Sequence, residues 1–523
     1  MQAVLEEGID FEPPEPSLTN TLYDALFRPH EANEGTFLTF KDGSAVSYAA
    51  FLKLSARIAH AMADAGVRSG DRVALQAKKS LEALAVYAAA VRMGAVFLPL
   101  NTAYTAAEVD YFVSDAGARL LICDGANASA LQPVADKAGA ALLTLNGDGS
   151  GTLGEQAAGQ PETYMPAERG ADDLAAFLYT SGTTGRSKGA MLTHDNLLSN
   201  AEALVETWRF SKSDVLLHAL PIFHTHGLFV ASNVILLAGA SMIFLPGLDI
   251  DDLIANMPHA TTMMGVPTFY TRLLADLRLT RDLVQHIRLF VSGSAPLLAE
   301  THRDFEARTG KRILERYGMT ETNMNTSNPY DGERRAGTVG QPLPGVSVRI
   351  AEPDTGKPVA AGDIGVIEVK GRNVFKGYWN MPEKTAQEFR ADGYFITGDL
   401  ATQDADGYVT IVGRAKDLII AGGYNIYPKE IELLLDEMPG VEESAVIGVP
   451  HPDLGEGVVG VVITRKGAAL DEASLLAGLA SKLARFKQPR RLFVIDELPR
   501  NTMGKVQKNL LRQQFAETFT MKG

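Results

Sequence analysis

Between residues 22 and 289, short apolar runs alternate with Ala- and Leu-rich stretches, and each run is closed by glycine or a polar residue. No other feature of the chain restricts its fold as much. Repeated strand-then-helix units give largely parallel sheets layered with helices. Arg72-Val73-Ala74-Leu75 and Leu120-Leu121-Ile122-Cys123 read as two such strands. Residues 80–93 read as a helix feeding a strand at 96–98, and residues 195–207 as a helix feeding a strand at 215–219. The recurrence predicts an α/β chain with two βα-layered subdomains and mixed sheets. At 523 residues the chain exceeds one hydrophobic core, so further domains are expected. After Gly337 the texture changes to short β-rich runs at 346–350 and 365–370, the mark of a small barrel or sheet.

The sharpest boundary is Gly413-Arg414-Ala415-Lys416-Asp417. It predicts a large N-terminal domain over 1–413 and a small α+β domain over 414–523, with a hinge near 414–417. The second domain has its own helices at 428–436 and 471–483 and strands at 441–448 and 458–464, and residues 509–523 read as a frayed helix. The uncharged stretch 227–248 is long enough to span a membrane, which takes about 20 residues. Ser232, Asn233, Ala238-Gly239 and Pro246 instead divide it into a buried helix at 228–237, a glycine turn and a strand at 241–245.

The formal net charge of −14 argues against general nucleic-acid binding, which needs positive surface to displace counterions. A single cysteine, Cys123, excludes an intrachain disulfide framework and suits a reducing cytoplasm. The N-terminal residues carry acids and prolines where a secretory signal needs a basic start and an apolar run, so neither export nor a membrane anchor is expected.

Chemistry enters at Thr180-Ser181-Gly182-Thr183-Thr184-Gly185-Arg186-Ser187-Lys188-Gly189, behind an apolar strand. Glycines let backbone N–H groups approach phosphate oxygens, hydroxyls add donors, and Lys188 and Arg186 offset charge. The spacing is not that of a Walker A loop. This segment resembles the signature loop of the adenylate-forming superfamily, which includes acyl-CoA synthetases, peptide-synthetase adenylation domains and beetle luciferases. Further segments agree in order: Pro221-Ile222-Phe223-His224, Tyr317-Gly318-Met319-Thr320-Glu321, Tyr394-Phe395-Ile396-Thr397-Gly398-Asp399, Gly413 to Asp417, Gly422-Gly423-Tyr424-Asn425, and Pro499-Arg500-Asn501-Thr502-Met503-Gly504-Lys505.

The resemblance implies a reaction in two steps: a carboxylate attacks the α-phosphorus of ATP and expels pyrophosphate, then the thiol of coenzyme A displaces AMP. It also implies roles. Thr320 holds the α-phosphate, Glu321 and Thr183 serve Mg²⁺, and the loop from Thr180 to Lys188 guards the outer phosphates. Ser294-Ala295-Pro296 and Tyr317 wall the adenine, and Asp399 and Arg414 hold the ribose. His224 and Lys505 are catalytic, Lys505 bridging carboxylate and α-phosphate during adenylation. Lys416 is the pivot that withdraws Lys505 afterwards, and Gly422-Gly423 forms a sparse wall for pantetheine.

The acid pocket is read partly from charge. A short dicarboxylic acid needs a fixed cation at the far end of its pocket, and arginine supplies one as a bidentate fork. Arg272 and Arg316 qualify. The stretch Glu315 to Glu333, the Arg272 segment and Phe223-His224-Thr225-His226-Gly227 closely resemble malonyl-CoA synthetases, in which the matching arginines and the serine at Ser294 hold the distal carboxylate. This favours malonate, with methylmalonate tolerated. His226 either lines the pocket or packs as a core histidine. The competing readings are a ligase for a medium-chain or aryl acid, a carrier-protein loading module, and a nucleotide sensor. Only 18 residues follow Lys505, and none resembles a carrier domain. Ile420 stands where luciferases carry a second lysine. Lys429, Arg465, Lys466 and Lys487 are unranked candidates for the 3′-phosphate of coenzyme A.

Overall fold

The computed structural model describes residues 19–180, 187–422, 424–480, 482–500 and 505–519. A six-stranded sheet runs in the order Ala141–Thr144, Ala118–Cys123, Arg72–Gln76, Val96–Pro99, Leu174–Thr180, Lys188–Thr193; all its pairs are parallel except the last. A nine-stranded sheet is parallel at its centre, through Ile313–Met319, Leu289–Ser292, Thr262–Gly265, Val215–His218, Ser241–Phe244 and Thr36–Thr39, and antiparallel at both ends. These are the two expected βα-layered units. Parallel sheets need helices on their faces, and the helix Leu81–Met93 shows how local sequence supplies one. Ser80 caps its start by accepting from the Ala83 N–H, and Gly94, at φ 69°, ends it. Its apolar residues are buried almost all the way round, as for a helix enclosed in the core.

The stretch 227–248 folds inward as the sequence suggests, with one difference. Residues His226–Ser232 form a π-helix before the α-helix Asn233–Ala238, which Gly239 ends at φ 65° before the strand Ser241–Phe244. Such wide turns recur at functional sites because they redirect side chains. Among the described residues no helix is long and apolar enough to cross a membrane.

Of the barrel or sheet expected after Gly337, the chain forms a sheet. Val346–Ala351, Gly365–Gly371, Phe395–Gln403 and Val409–Arg414 pair antiparallel in chain order, too few strands to close on themselves. A single 3₁₀ turn, Ala415–Asp417, leads from this sheet to the last one. That sheet contains Tyr424–Ile426, Ile419–Ala421, Gly455–Thr464 and Val441–His451, with Arg491–Ile495 parallel to Gly455–Thr464. It has apolar packing on both faces, one including Ile431, Leu435, Leu475 and Leu479 and the other Val449, Val461, Leu498 and Leu511. The helix expected in the tail is short, Lys508–Gln514.

Candidate active site

One strand organises the centre of the site. Ile313–Met319 carries Glu315, Arg316 and Tyr317, and the turn after it carries Thr320 and Glu321 before the chain returns as Asn323–Ser327. Glycine is required at 318, where an added Cβ would overlap the Asn323 carbonyl. The Tyr317 hydroxyl donates to Asp399 Oδ2 at 2.5 Å, and Asp399 Oδ1 pairs with Arg414 Nε at 2.7 Å. Asp399 and Arg414 face each other across neighbouring strands, so sheet register brings this pair together. Burial and the Asp399 carboxylate push the Tyr317 phenol far above the usual tyrosine range, so it remains a donor.

Past the turn, Glu321 is buried and accepts from the Tyr378 hydroxyl at 3.0 Å. The same hydroxyl lies 2.7 Å from Glu388 Oε2, and Glu388 pairs with Lys188 at 3.1 Å and Lys384 at 2.9 Å. The Lys188 ammonium sits 3.9 Å above the Tyr378 ring. The sequence did not single out Tyr378, four residues before the short helix Pro382–Glu388, or Glu388, which ends that helix. Ser181, Gly182, Thr183, Thr184, Gly185 and Gly423 lie outside the described residues. Gly422 stands at φ 60° after the strand Ile419–Ala421.

Arg316 is buried, and its Nε and Nη2 have no hydrogen-bond partner. Gly293 makes room for it, since a Cβ there would overlap the guanidinium. The next residue, Ser294, holds a left-handed backbone at φ 71°, a conformation costly for a residue with a Cβ. Its Oγ lies 3.2 Å from His226 Nδ1, while His226 Nε2 is buried without a partner. Ala295 and Pro296 are exposed, and the Leu297 N–H that follows donates to Glu315 Oε1 at 3.1 Å. Burial raises Glu315 to about 8. Burial, then Lys505 and Arg316, lowers His224 to about 3 and leaves it neutral at physiological pH. Burial lowers Lys505, whose charged neighbours include Arg414, Asp399, Glu321 and Arg316.

Arg272 does not join this group. The helix Pro267–Ala275 buries Phe269, Tyr270 and Leu273, and its period turns Arg272 outward into an open depression with Asp249, Asp251, Asp276 and Arg278. Of the two arginines expected to share one carboxylate, Arg316 is thus buried beside Ser294 and His226, while Arg272 lies at the surface. Three of the basic residues considered for coenzyme A are paired with acids: Lys487 with Glu430 at 2.7 Å, Arg465 with Glu300 at 3.3 Å and Lys429 with Glu432 at 3.9 Å. Lys429 lies close enough to Glu315 to favour its charged form.

This arrangement has known counterparts. Residues 28–379 match the AMP-binding enzyme family, and residues 430–505 match the AMP-binding enzyme C-terminal domain. ATP-bound MatB from Rhodopseudomonas palustris superposes with a TM-score of 0.94 at 58% identity, covering 96% of this chain and 99% of that one. A malonate–CoA ligase of Arabidopsis thaliana is 36% identical over 86% of this chain and 78% of its own length. A feruloyl-CoA synthase from Amycolatopsis sp. is 38% identical over 90% and 94%. With two thirds of its length in the match to the first family and the nucleotide-side residues gathered as described, the chain belongs to the AMP-binding enzyme family.

Proposed function

We propose that this enzyme is an AMP-forming ligase that joins malonate, with methylmalonate as a tolerated neighbour, to coenzyme A at the expense of ATP. The buried guanidinium of Arg316 carries this reading. Its Nε and Nη2 lack partners, and an unpaired buried cation is costly unless an anion completes it. A carboxylate accepts two parallel N–H bonds from such a fork. Ser294 and His226, adjacent through their 3.2 Å contact, supply the polar remainder of the pocket. The similarity to malonate–CoA ligases supports the same substrate.

Adenylation follows from the charges. The acid's second carboxylate attacks the α-phosphorus of ATP, forming a carboxyl–phosphate bond as pyrophosphate leaves, and catalysis rests on positioning and electrostatics. Lys505 neutralises the charge developing between carboxylate and α-phosphate, Thr320 and neutral His224 orient the reactants, and Lys188 with Thr180 and the loop between them holds the departing phosphates. Tyr317 and Ser294-Ala295-Pro296 enclose the adenine, and Asp399 with Arg414 holds the ribose. Mg²⁺ suits the donors present: among the described residues no group of three acids or histidines could cage a metal, and Mg²⁺ uses one or two carboxylates plus substrate phosphates. Glu321, with Thr183, would hold it, and the ion would supply charge neutralisation on the phosphates. Turning of residues 414–523 about Lys416 then withdraws Lys505 and brings Gly422-Gly423 alongside the pantetheine, whose thiol displaces AMP. The single buried Cys123 suits a cytoplasmic setting.

The similarity to a feruloyl-CoA synthase favours an aryl acid as the second reading. Thioester formation across acetate, butyrate, malonate, methylmalonate, succinate and ferulate separates the two. A site built for a charged group rejects acids that lack it by about 10⁴–10⁵ in kcat/KM. Malonate should exceed butyrate by orders of magnitude, and Arg316→Met should collapse that ratio. Turnover of ferulate above malonate would replace the dicarboxylate reading.

A further inference from the structure

Lys79 lies outside the machinery described so far. It follows the strand Arg72–Gln76 of the six-stranded sheet, yet its ammonium reaches the nine-stranded sheet. Its Nζ is 2.8 Å from Nδ1 of His218 and 2.8 Å from the carbonyl oxygen of the same residue, and it lies 4.2 Å above the Phe244 ring. His218 and Phe244 are register partners at the ends of neighbouring parallel strands. Lys79 forms no ion pair with the described residues. A mostly buried amine without a counter-ion is retained against a desolvation cost, which calls for a purpose.

The far side of His218 supplies one. His218 is buried, and its Nε2 lies 2.8 Å from the Gly227 carbonyl. A carbonyl can only accept, so Nε2 carries the proton and Nδ1 is left as the acceptor for Lys79. Whether Lys79 is an ammonium or an amine, it has an N–H to give. Gly227 lies one residue beyond His226 and three beyond His224. Its carbonyl also accepts from Ser232 Oγ at 3.0 Å, and a Cβ at 227 would overlap the Pro221 carbonyl, so the turn is clamped on several sides.

We propose that Lys79 is a positioning residue of the acid pocket: by donating to Nδ1 it fixes His218 as the Nε2–H tautomer, which holds the Gly227 carbonyl and so sets the turn presenting His224 and His226 to the substrate. This rests on the reading of that turn as part of the acid site. Displacing a positioning group by about 1 Å costs on the order of 10²-fold in rate. Lys79→Met should therefore lower kcat/KM for the acid by about 10- to 100-fold, mostly through KM, with ATP affinity within about twofold of wild type and Lys79→Arg restoring most of the loss.

A readout independent of substrate is the tautomer. In protein labelled with ¹⁵N-histidine, with His218→Gln assigning the resonance, His218 should be Nε2–H in the wild type and mixed in Lys79→Met. If that variant fails to fold, Lys79→Gln, whose donor falls one bond short, should show the same two changes. A lowered melting temperature with unchanged KM and an unchanged tautomer would overturn the proposal. If the wild type prefers an acid other than malonate, the substrate assignment fails, and the Lys79 measurements are read on the preferred acid and on the tautomer.

Discussion

At the scale of single residues, the site sets cations against burial. Arg316, His224, His226 and Lys505 converge on one region with Glu315 and Glu321, and burial raises Glu315 to about 8. The histidines are kept neutral, so in the proposed reaction Arg316 and Lys505 are the cations left to meet the two carboxylates of the substrate. On that proposal Lys505 is dispensable once the adenylate exists. Lys505→Ala should slow pyrophosphate exchange by about 10²–10³, the loss seen when a preorganised charge stabiliser is removed, while thioester formation from supplied acyl adenylate is spared. Equal losses in both half-reactions would assign Lys505 to both steps.

Among the elements, the π-helix His226–Ser232 is the one that carries the proposed acid pocket's histidine turn. It begins where Gly227 packs directly on the Pro221 carbonyl, a backbone atom that cannot yield as a flexible side chain would. Gly227→Ala should therefore destabilise the protein by about 3 kcal/mol, at the upper end of overpacking costs, and weaken acid use even where the variant folds. Denaturant unfolding with parallel adenylation assays checks this; wild-type stability and activity would show that the turn has room to spare. The strand Ile313–Met319 is the complementary element, since it carries both Arg316, proposed for the acid, and Tyr317, proposed for the nucleotide.

For the molecule as a whole, buried histidines couple stability to pH. Burial lowers His194 to about 4 and His224 to about 3 from 6.5. Between those values and 6.5 the unfolded chain binds more protons than the folded one, so stability is full above about pH 6.5 and is lost as pH falls toward 4. Chemical denaturation at pH 7.5 and pH 5.0 should show this drop, and His194→Gln, which cannot take up that proton, should show a smaller one. Equal slopes for the variant and the wild type would remove His194 from the account.

The βα alternation, the glycine stops at 94 and 239 and the order of motifs all act within a few residues, so the sequence by itself determined the sheet classes, the inward fold of residues 227–248 and the list of nucleotide-side candidates. Tyr378, Glu388 and Lys79 were not legible, because each acts on partners more than fifty residues away: Glu321 for Tyr378, Lys188 for Glu388 and His218 for Lys79. Arg272 shows what helix rotation adds. Its motif suggested a place in the pocket, but a difference of two residues along a helix sends Tyr270 into the core and Arg272 to the surface. Which chemistry the chain carries was written in local patterns; which side chains meet was decided by sheet register and helix rotation, because both depend on contacts between distant segments that no local pattern encodes.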